Sequence, residues 1–266
     1  MTILPQTVFA QRAAFYTTSA VHKDKTVLDR VIKLAQPQPT DVVLDVATGT
    51  GHTAFAFAPH VKSVIATDVT SEMLSEGEKL RQAAHRPHGA DMGKAENGII
   101  NVEFQLADAH DLPFEDESFD IVTCRRAAHH FVESGKALRE MLRVLRPGGR
   151  LVIDDRSVPE DNFVDETLNR LDVLHDRSHV REYRPSEWER MMQEAGCKVE
   201  AVEPYTKHRP LSALTEKADP ADAQEIESLV AALNEDQRAA MNVVEKDGEI
   251  YLNHWFVMAV GVKSDE

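Results

Sequence analysis

Small residues crowd positions 44–52, LDVATGTGH, between an acid, Asp45, and the start of a helical pattern. Glycines at such a place let a strand turn sharply and bring backbone N–H groups up to a ligand. About 20 residues further on, Asp68 closes a second apolar run, where a carboxylate can accept two ribose hydroxyls. Taken singly, the loop also reads as a tight turn and Asp68 as a cap for the helix that starts at Thr70. In this order and at this spacing the two together point to a nucleotide-like cofactor. A second reactive stretch is CRRAAHHF, 124–131, at the end of a later apolar run. Histidine is suited to removing a proton near neutral pH, which makes His129 and His130 candidate bases. Neighbouring side chains on a helix diverge by roughly 100°, so at most one of them faces a given substrate atom. Helix packing and hydrogen bonds to nearby loops account for the pair equally well. Arg125 and Arg126 suit an anionic acceptor, or else pairing with the chain's own carboxylates.

These groups need a frame, and the alternation of apolar runs with helical patterns predicts one: an α/β protein with a mostly parallel sheet. The expected strands are 42–46, 61–68, 99–108, 119–124 and 149–155, with helices over 51–59, 70–85 and 134–146 between them. Leu138, Met141, Leu142 and Leu145 form an i, i+3, i+4, i+7 stripe, and Pro147-Gly148-Gly149 ends that helix. Segment 85–98 has no period and reads as an exposed insertion. Beyond Asp155 helices are expected at 161–176, 185–195 and 221–240. Strands at 198–204 and 249–262 pair antiparallel at the sheet edge. Asp172, His175, Asp176 and His179 would share one face of a continuous helix at metal-ligand spacing; a solvated face is the more ordinary reading, and no metal is expected.

The 266 residues are 42% hydrophobic and 28% charged, enough for one core without a second domain. A formal charge of −15 opposes nucleic acid and anionic lipid as partners. Cys124 and Cys197 lack the spacing of a disulfide framework or zinc site, which fits a cytosolic setting. No apolar run approaches the ~20 residues of a membrane span, and the start lacks the signature of a secretory signal.

Gly49-x-Gly51-x-x-Ala54 also satisfies the loose dinucleotide pattern, so the neighbouring acid decides. Asp45 would oppose a diphosphate but suits a ligand with a cationic amine and sulfonium, which S-adenosylmethionine carries. Here the residues resemble the class I S-adenosylmethionine-dependent methyltransferases, in the small-molecule branch similar to the ubiquinone/menaquinone biosynthesis enzymes. The likeness runs over roughly 9–155. Asp45-Val-Ala47-Thr48-Gly49-Thr-Gly51 matches the family's first motif, with Ala47 in place of a glycine, and Asp68-Val69-Thr-Ser-Glu-Met73 matches the second. The resemblance implies a seven-stranded Rossmann-like sheet with an antiparallel C-terminal edge strand and helices on both faces. It implies a cofactor site against Asp45, Ala47, Thr48, Gly49, Gly51 and Asp68, with Val69, Met73, Asp108 and Ala109 about the adenine. Cys124, Arg125 and, from an N-terminal cap, Tyr16 complete it; Phe15 is a further cap candidate.

Within one methyltransferase unit, 1–40 would be the cap, 41–155 the cofactor core, and 156–266 the substrate roof and sheet edge. His22, His175, His179, Arg181 and Tyr183 would then meet a small-molecule acceptor, with S-adenosylhomocysteine as product and the chain a monomer or homodimer. Trp188, Met192, His254 and Trp255 read as core. The family's Asn-Pro-Pro-Tyr or Asp-Pro-Pro-Tyr motif for base methylation is missing after strand four. The alternatives are an NAD-dependent oxidoreductase, for which no Tyr-x-x-x-Lys pair is present, and a non-catalytic S-adenosylmethionine sensor.

Overall fold

The alternation of side chains decides which way each strand faces. In β1 (Val42–Val46), Val43 packs into one apolar cluster while Leu44 and Val46 pack into another on the opposite face. β4 (Phe119–Arg125) divides the same way, Ile121 to the first and Val122 and Cys124 to the second. A sheet apolar on both faces needs helices on both. α2 (Lys25–Ala35) and α3 (His52–Phe57) cover the first face, burying Val27, Val31, Ala54 and Phe57. α5 (Ser134–Val144) and α7 (Pro185–Glu194) cover the second with Leu138, Met141, Trp188 and Met192. The computed structural model describes residues 5–18, 22–84 and 101–264, and the expected insertion 85–98 lies outside them.

β1 pairs in parallel with β4 and with β2 (Ser63–Asp68), β2 with β3 (Val102–Leu106), and β4 with β5 (Leu145–Ser157). Towards the other edge, β6 (Cys197–Pro210) and β8 (Glu249–Lys263) pair antiparallel, as expected, and β8 lies between β5 and β6. The order across the sheet is therefore β3-β2-β1-β4-β5-β8-β6. A short β7 (Val244–Lys246) also pairs with β8, through a turn at Asp247 and Gly248 whose φ angles are both positive, as a two-residue hairpin requires. Strand order reverses between β1 and β4, the switch point beyond which open α/β sheets hold ligands.

The remaining helices are α1 (Pro5–Thr18), α4 (Ser71–Ala84), α6 (Asn162–His175), α8 (Ser212–Thr215), α9 (Pro220–Ala231) and α10 (Glu235–Ala240). Leu168 and Leu171 of α6, Ile226 and Val230 of α9, and Leu252 of β8 form a third apolar cluster.

Three expected boundaries shift for identifiable reasons. The helix at 134–146 ends at Val144, because Leu145 already pairs with Phe119; Pro147-Gly148-Gly149 make a bulge inside β5. The helix at 221–240 breaks into α9 and α10, because Asn234 and Gln237 form a reciprocal capping box that starts a new helix. β6 runs on to Pro210, where polar outward residues hide the strand period. Among the described residues no helix is long and apolar enough to cross a membrane.

Candidate active site

Two carboxylates hold the turn after β1 from below. Asp45 is buried, and its Oδ2 accepts Thr48 Oγ1 at 2.5 Å and the Ala54 amide at 3.1 Å. Asp68 accepts the amides of Gly49 and Thr70, each at 2.9 Å. The Thr48 amide donates to the Thr67 carbonyl and the Gly51 amide to that of Thr48. The loop amides at 48, 49 and 51, expected to be bare, thus serve protein acceptors. The Ala54 amide belongs to the first turn of α3, where a helix attracts an anion, and the Asp45 carboxyl group already sits there. A diphosphate would meet a carboxyl group where it needs donors. Burial pushes the Asp45 pKa up to about 7, against the pull of the Thr48 hydrogen bond and the Arg125 charge, and raises that of Asp68.

Ala47, Gly49 and Gly51 all have positive φ, at 53°, 58° and 89°. A Cβ on Gly49 would meet no protein atom within 4 Å, so its backbone borders open space. A Cβ on Gly51 would lie 2.7 Å from the Phe104 ring. Ala47, Thr48, Gly49, Asp68 and Val69 line a cavity of about 940 Å³, as do Met73, Asp108, Ala109, Arg125 and Tyr16. Its size is near the top of the ~300–1,000 Å³ range of small-molecule sites. Three expected residues are not on this wall. Asp45 lies beneath the loop, Gly51 packs at Phe104, and Cys124 is fully buried in the cluster under α5. Asp108 accepts the amide and Nδ1–H of His110, at 2.9 and 2.7 Å, so it organises its own turn as well as facing the cavity.

At the end of β4, Arg125 donates Nε–H to Thr53 Oγ1 at 2.8 Å and Nη2–H to the His22 carbonyl at 2.9 Å; Nη1 is buried without a partner. Arg126 donates to Asp154 Oδ2 at 3.0 Å and to the Tyr205 hydroxyl at 2.7 Å, with its guanidinium 3.8 Å from the centre of the Phe256 ring. A 3₁₀ turn, Ala128–His130, follows. His129 Nδ1 lies 2.5 Å from Asp155 Oδ1, and the His129 amide donates to Oδ2 at 3.0 Å. Burial works to raise the Asp155 pKa, but the charge and hydrogen bond of His129 outweigh it and the net shift is downward. The carboxylate therefore accepts a hydrogen bond from Nδ1–H, which fixes the orientation of an imidazole that borders the cavity. His130 Nδ1 instead faces the Ser178 carbonyl at 3.1 Å, and burial together with His129 brings its pKa down to about 3.

The roof corrects the expected helical stripe. α6 ends at His175, so Asp172, His175, Asp176 and His179 take separate partners. Asp172 pairs with Arg156 at 2.5 Å, His175 donates to the Leu214 carbonyl at 2.7 Å, Asp176 accepts Ser178 Oγ at 2.6 Å, and His179 reaches Asn169 at 3.4 Å. Among the described residues no three His, Cys, Asp or Glu side chains are grouped to hold a metal ion. His22, His175 and His179 border the cavity. Arg181 and Tyr183 do not: Arg181 turns to Glu187 and Asp165, and Tyr183 packs edge-on to Trp188. The amides of Val180 and Arg181 both donate to the His129 carbonyl, which ties this segment to the turn after β4. Arg156, Arg209, Lys217 and Phe256 also stand on the wall, unanticipated; the first, second and fourth carry only the period-two alternation of late strands as a signal, and Lys217 lies in the turn after α8.

A parallel sheet with a carboxylate-braced glycine turn and a roofed cavity at its switch point defines a nucleoside-cofactor transferase fold. A family model described as a methyltransferase domain matches residues 44–153. The uncharacterized methyltransferase YcgJ of Bacillus subtilis (strain 168) is 42% identical over 186 residues, 70% of this chain and 68% of that protein. The YcgJ crystal structure superposes with a TM-score of 0.80 at 31% identity, covering 90% of this chain and 98% of that one. The demethylmenaquinone methyltransferase of Clavibacter sepedonicus is 38% identical over 54% of this chain and 52% of its own length. This chain belongs to the class I S-adenosylmethionine-dependent methyltransferases. Its methyl donor is S-adenosylmethionine, and the oxidoreductase alternative falls with the loop's lack of a diphosphate cradle.

Proposed function

We propose that this methyltransferase acts in the cytosol on a small-molecule acceptor with an apolar, aromatic body, and that His129 removes the acceptor's proton. The observation that carries the reading is the His129–Asp155 pair, 2.5 Å apart at the cavity wall, with Asp155 fully buried. Bound there, S-adenosylmethionine supplies a methyl group activated by a positive sulfur. Asp68 would hold the ribose, and Asp108, Val69, Met73 and Ala109 the adenine. The open backbone at Ala47–Gly49 and the unpartnered Nη1 of Arg125 would take the amino-acid end. The buried Arg125 donor and the open face of Gly49 support this fit. Phe9, Tyr16, Phe131 and Phe256 on the same wall support the aromatic acceptor. Cap, core and roof contribute to one site and act as one unit, and the two free buried cysteines support a reducing compartment.

In-line transfer needs the nucleophile aligned and water excluded, and the base then sets the acceptor's ionisation. Incubation with methyl-labelled cofactor and a metabolite extract, read by mass spectrometry, identifies the acceptor. With that acceptor, His129→Gln is expected to lower kcat by about 10²–10⁴-fold while leaving S-adenosylhomocysteine affinity within twofold. An unchanged kcat would remove the base from the mechanism, and a labelled macromolecule in place of a metabolite would overturn the substrate class.

A further inference from the structure

One strip of β6 reads Glu203, Tyr205, Lys207, Arg209, every second residue and so one face of the strand. The first three are matched. Glu203 pairs with Arg30, the Tyr205 hydroxyl donates to Asp154 Oδ1 at 2.6 Å, and Lys207 Nζ reaches Asp24 Oδ2 at 2.5 Å. Arg209 is half-buried on the cavity wall, and its guanidinium has no hydrogen bond and no ion pair among the described residues. None of its nitrogens is among the buried unpartnered atoms, so its N–H donors open to the cavity and are free to meet an acceptor there. Burial and the nearby charges of Arg156 and Arg126 hold its pKa below the ordinary value, which marks a concentration of positive charge.

Of the other wall cations, Arg126 pairs with Asp154, Arg156 with Asp172 and Glu182, and Arg12 with Asp176, while Arg125 is held by the Thr53 hydroxyl and the His22 carbonyl at the loop end and Lys136 is exposed. Those pairs also occupy the carboxylates Asp172 and Asp176. At the mouth, Lys217 Nζ sits 3.0 Å from the centre of the Phe15 ring with no carboxylate bonded to it, beside the exposed Glu216. A chain of net charge −15 thus keeps inside its reaction cavity a guanidinium that feels Asp172 only at a distance and has no hydrogen bond or ion pair among the described residues. Left to the overall field, an anion would be repelled.

We propose that the methyl acceptor is an anion, a small molecule whose carboxylate or phosphate is held by Arg209, with Lys217 drawing it in at the mouth. The proposal rests on the methyl-transfer reading and names the charge of its acceptor. A guanidinium suits either oxyanion, because its planar fork matches two oxygens at once.

The test titrates the full chain, loaded with S-adenosylhomocysteine, with inorganic phosphate and separately with benzoate in a calorimeter. Saturable binding of at least one is expected, and which one distinguishes a phosphorylated from a carboxylated acceptor. Arg209→Gln should weaken it about 10- to 100-fold, the worth of a charge-assisted hydrogen bond, with Arg209→Lys in between. Homocysteine-cofactor affinity held within twofold shows that the variants are folded. The proposal is overturned if neither anion saturates, if Arg209→Gln binds them as well as the parent does, or if that variant loses the cofactor instead. Failure of the parent chain to bind S-adenosylhomocysteine would bring down the methyl-transfer reading itself, and this inference with it, before any anion is added.

Discussion

Replacing Asp45 by asparagine should make the protein's stability less sensitive to pH. Asp45 is buried beneath the glycine turn, with one oxygen shared by Thr48 and Ala54 and the other without a partner. Burial lifts its pKa from 3.8 to about 7. Such a carboxyl group binds its proton more tightly when folded. The stability it lends is full below the unfolded pKa, near pH 4, and is lost as pH rises through about 7. At about 1.4 kcal/mol per pH unit the whole effect is about 4 kcal/mol, of which about 3 kcal/mol falls between pH 5 and pH 8. Asparagine cannot ionise, so Asp45→Asn should lose about 3 kcal/mol less over that interval and become the more stable form at pH 8. Urea unfolding of both proteins at pH 5 and pH 8, without cofactor, measures the difference. S-adenosylmethionine, a cation above the loop, should then stabilise the parent more at pH 8 than at pH 5, while the variant shows no such gain. A variant-minus-parent difference equal at the two pH values, within about 0.5 kcal/mol, would refute the placement of an ionising carboxyl group under this turn.

Ala47→Gly should stabilise the fold by about 0.5–1 kcal/mol, since relief of a left-handed alanine (φ 53°) exceeds the added freedom of the unfolded chain. An upward shift of about 1–3 °C in Tm would register it, and a fall in Tm would count against the strain. Gly51→Ala should cost about 2–4 kcal/mol, from a positive φ of 89° and a Cβ 2.7 Å from Phe104. Adding Phe104→Leu should recover only the steric part in chemical denaturation, and full recovery would mean that the backbone angle costs nothing.

Much of the frame was legible because burial imposes a period. Val43 against Leu44, and Ile121 against Val122, report their faces directly, and the loop with Asp68 carries its own spacing. Side-chain direction was less accessible. Asp45 lies next to the loop in sequence whether its carboxyl group points to a ligand or back to Ala54, and only the folded turn chooses the second. Arg181 and Tyr183 follow His179 closely, yet Arg181 turns to Asp165 and Glu187 and Tyr183 to Trp188, partners the local sequence does not announce. Arg209 and Phe256 reach the cavity from the last strands, far from any motif, because β8 inserts between β5 and β6. Nothing local announces a neighbour supplied by sheet topology.

That insertion separates two duties along the polypeptide. In the proposed reading the residues that would hold the donor come from the first half of the chain, whereas the wall residues Arg156, Arg209 and Phe256 arrive after it. On that reading, mutational drift in β6 and β8 would retune which metabolite is modified while the donor machinery stays intact. Descendants of one ancestor can diverge in product yet share a single way of using the methyl source. Exchanging only these outer strands between relatives is a direct route to altered selectivity.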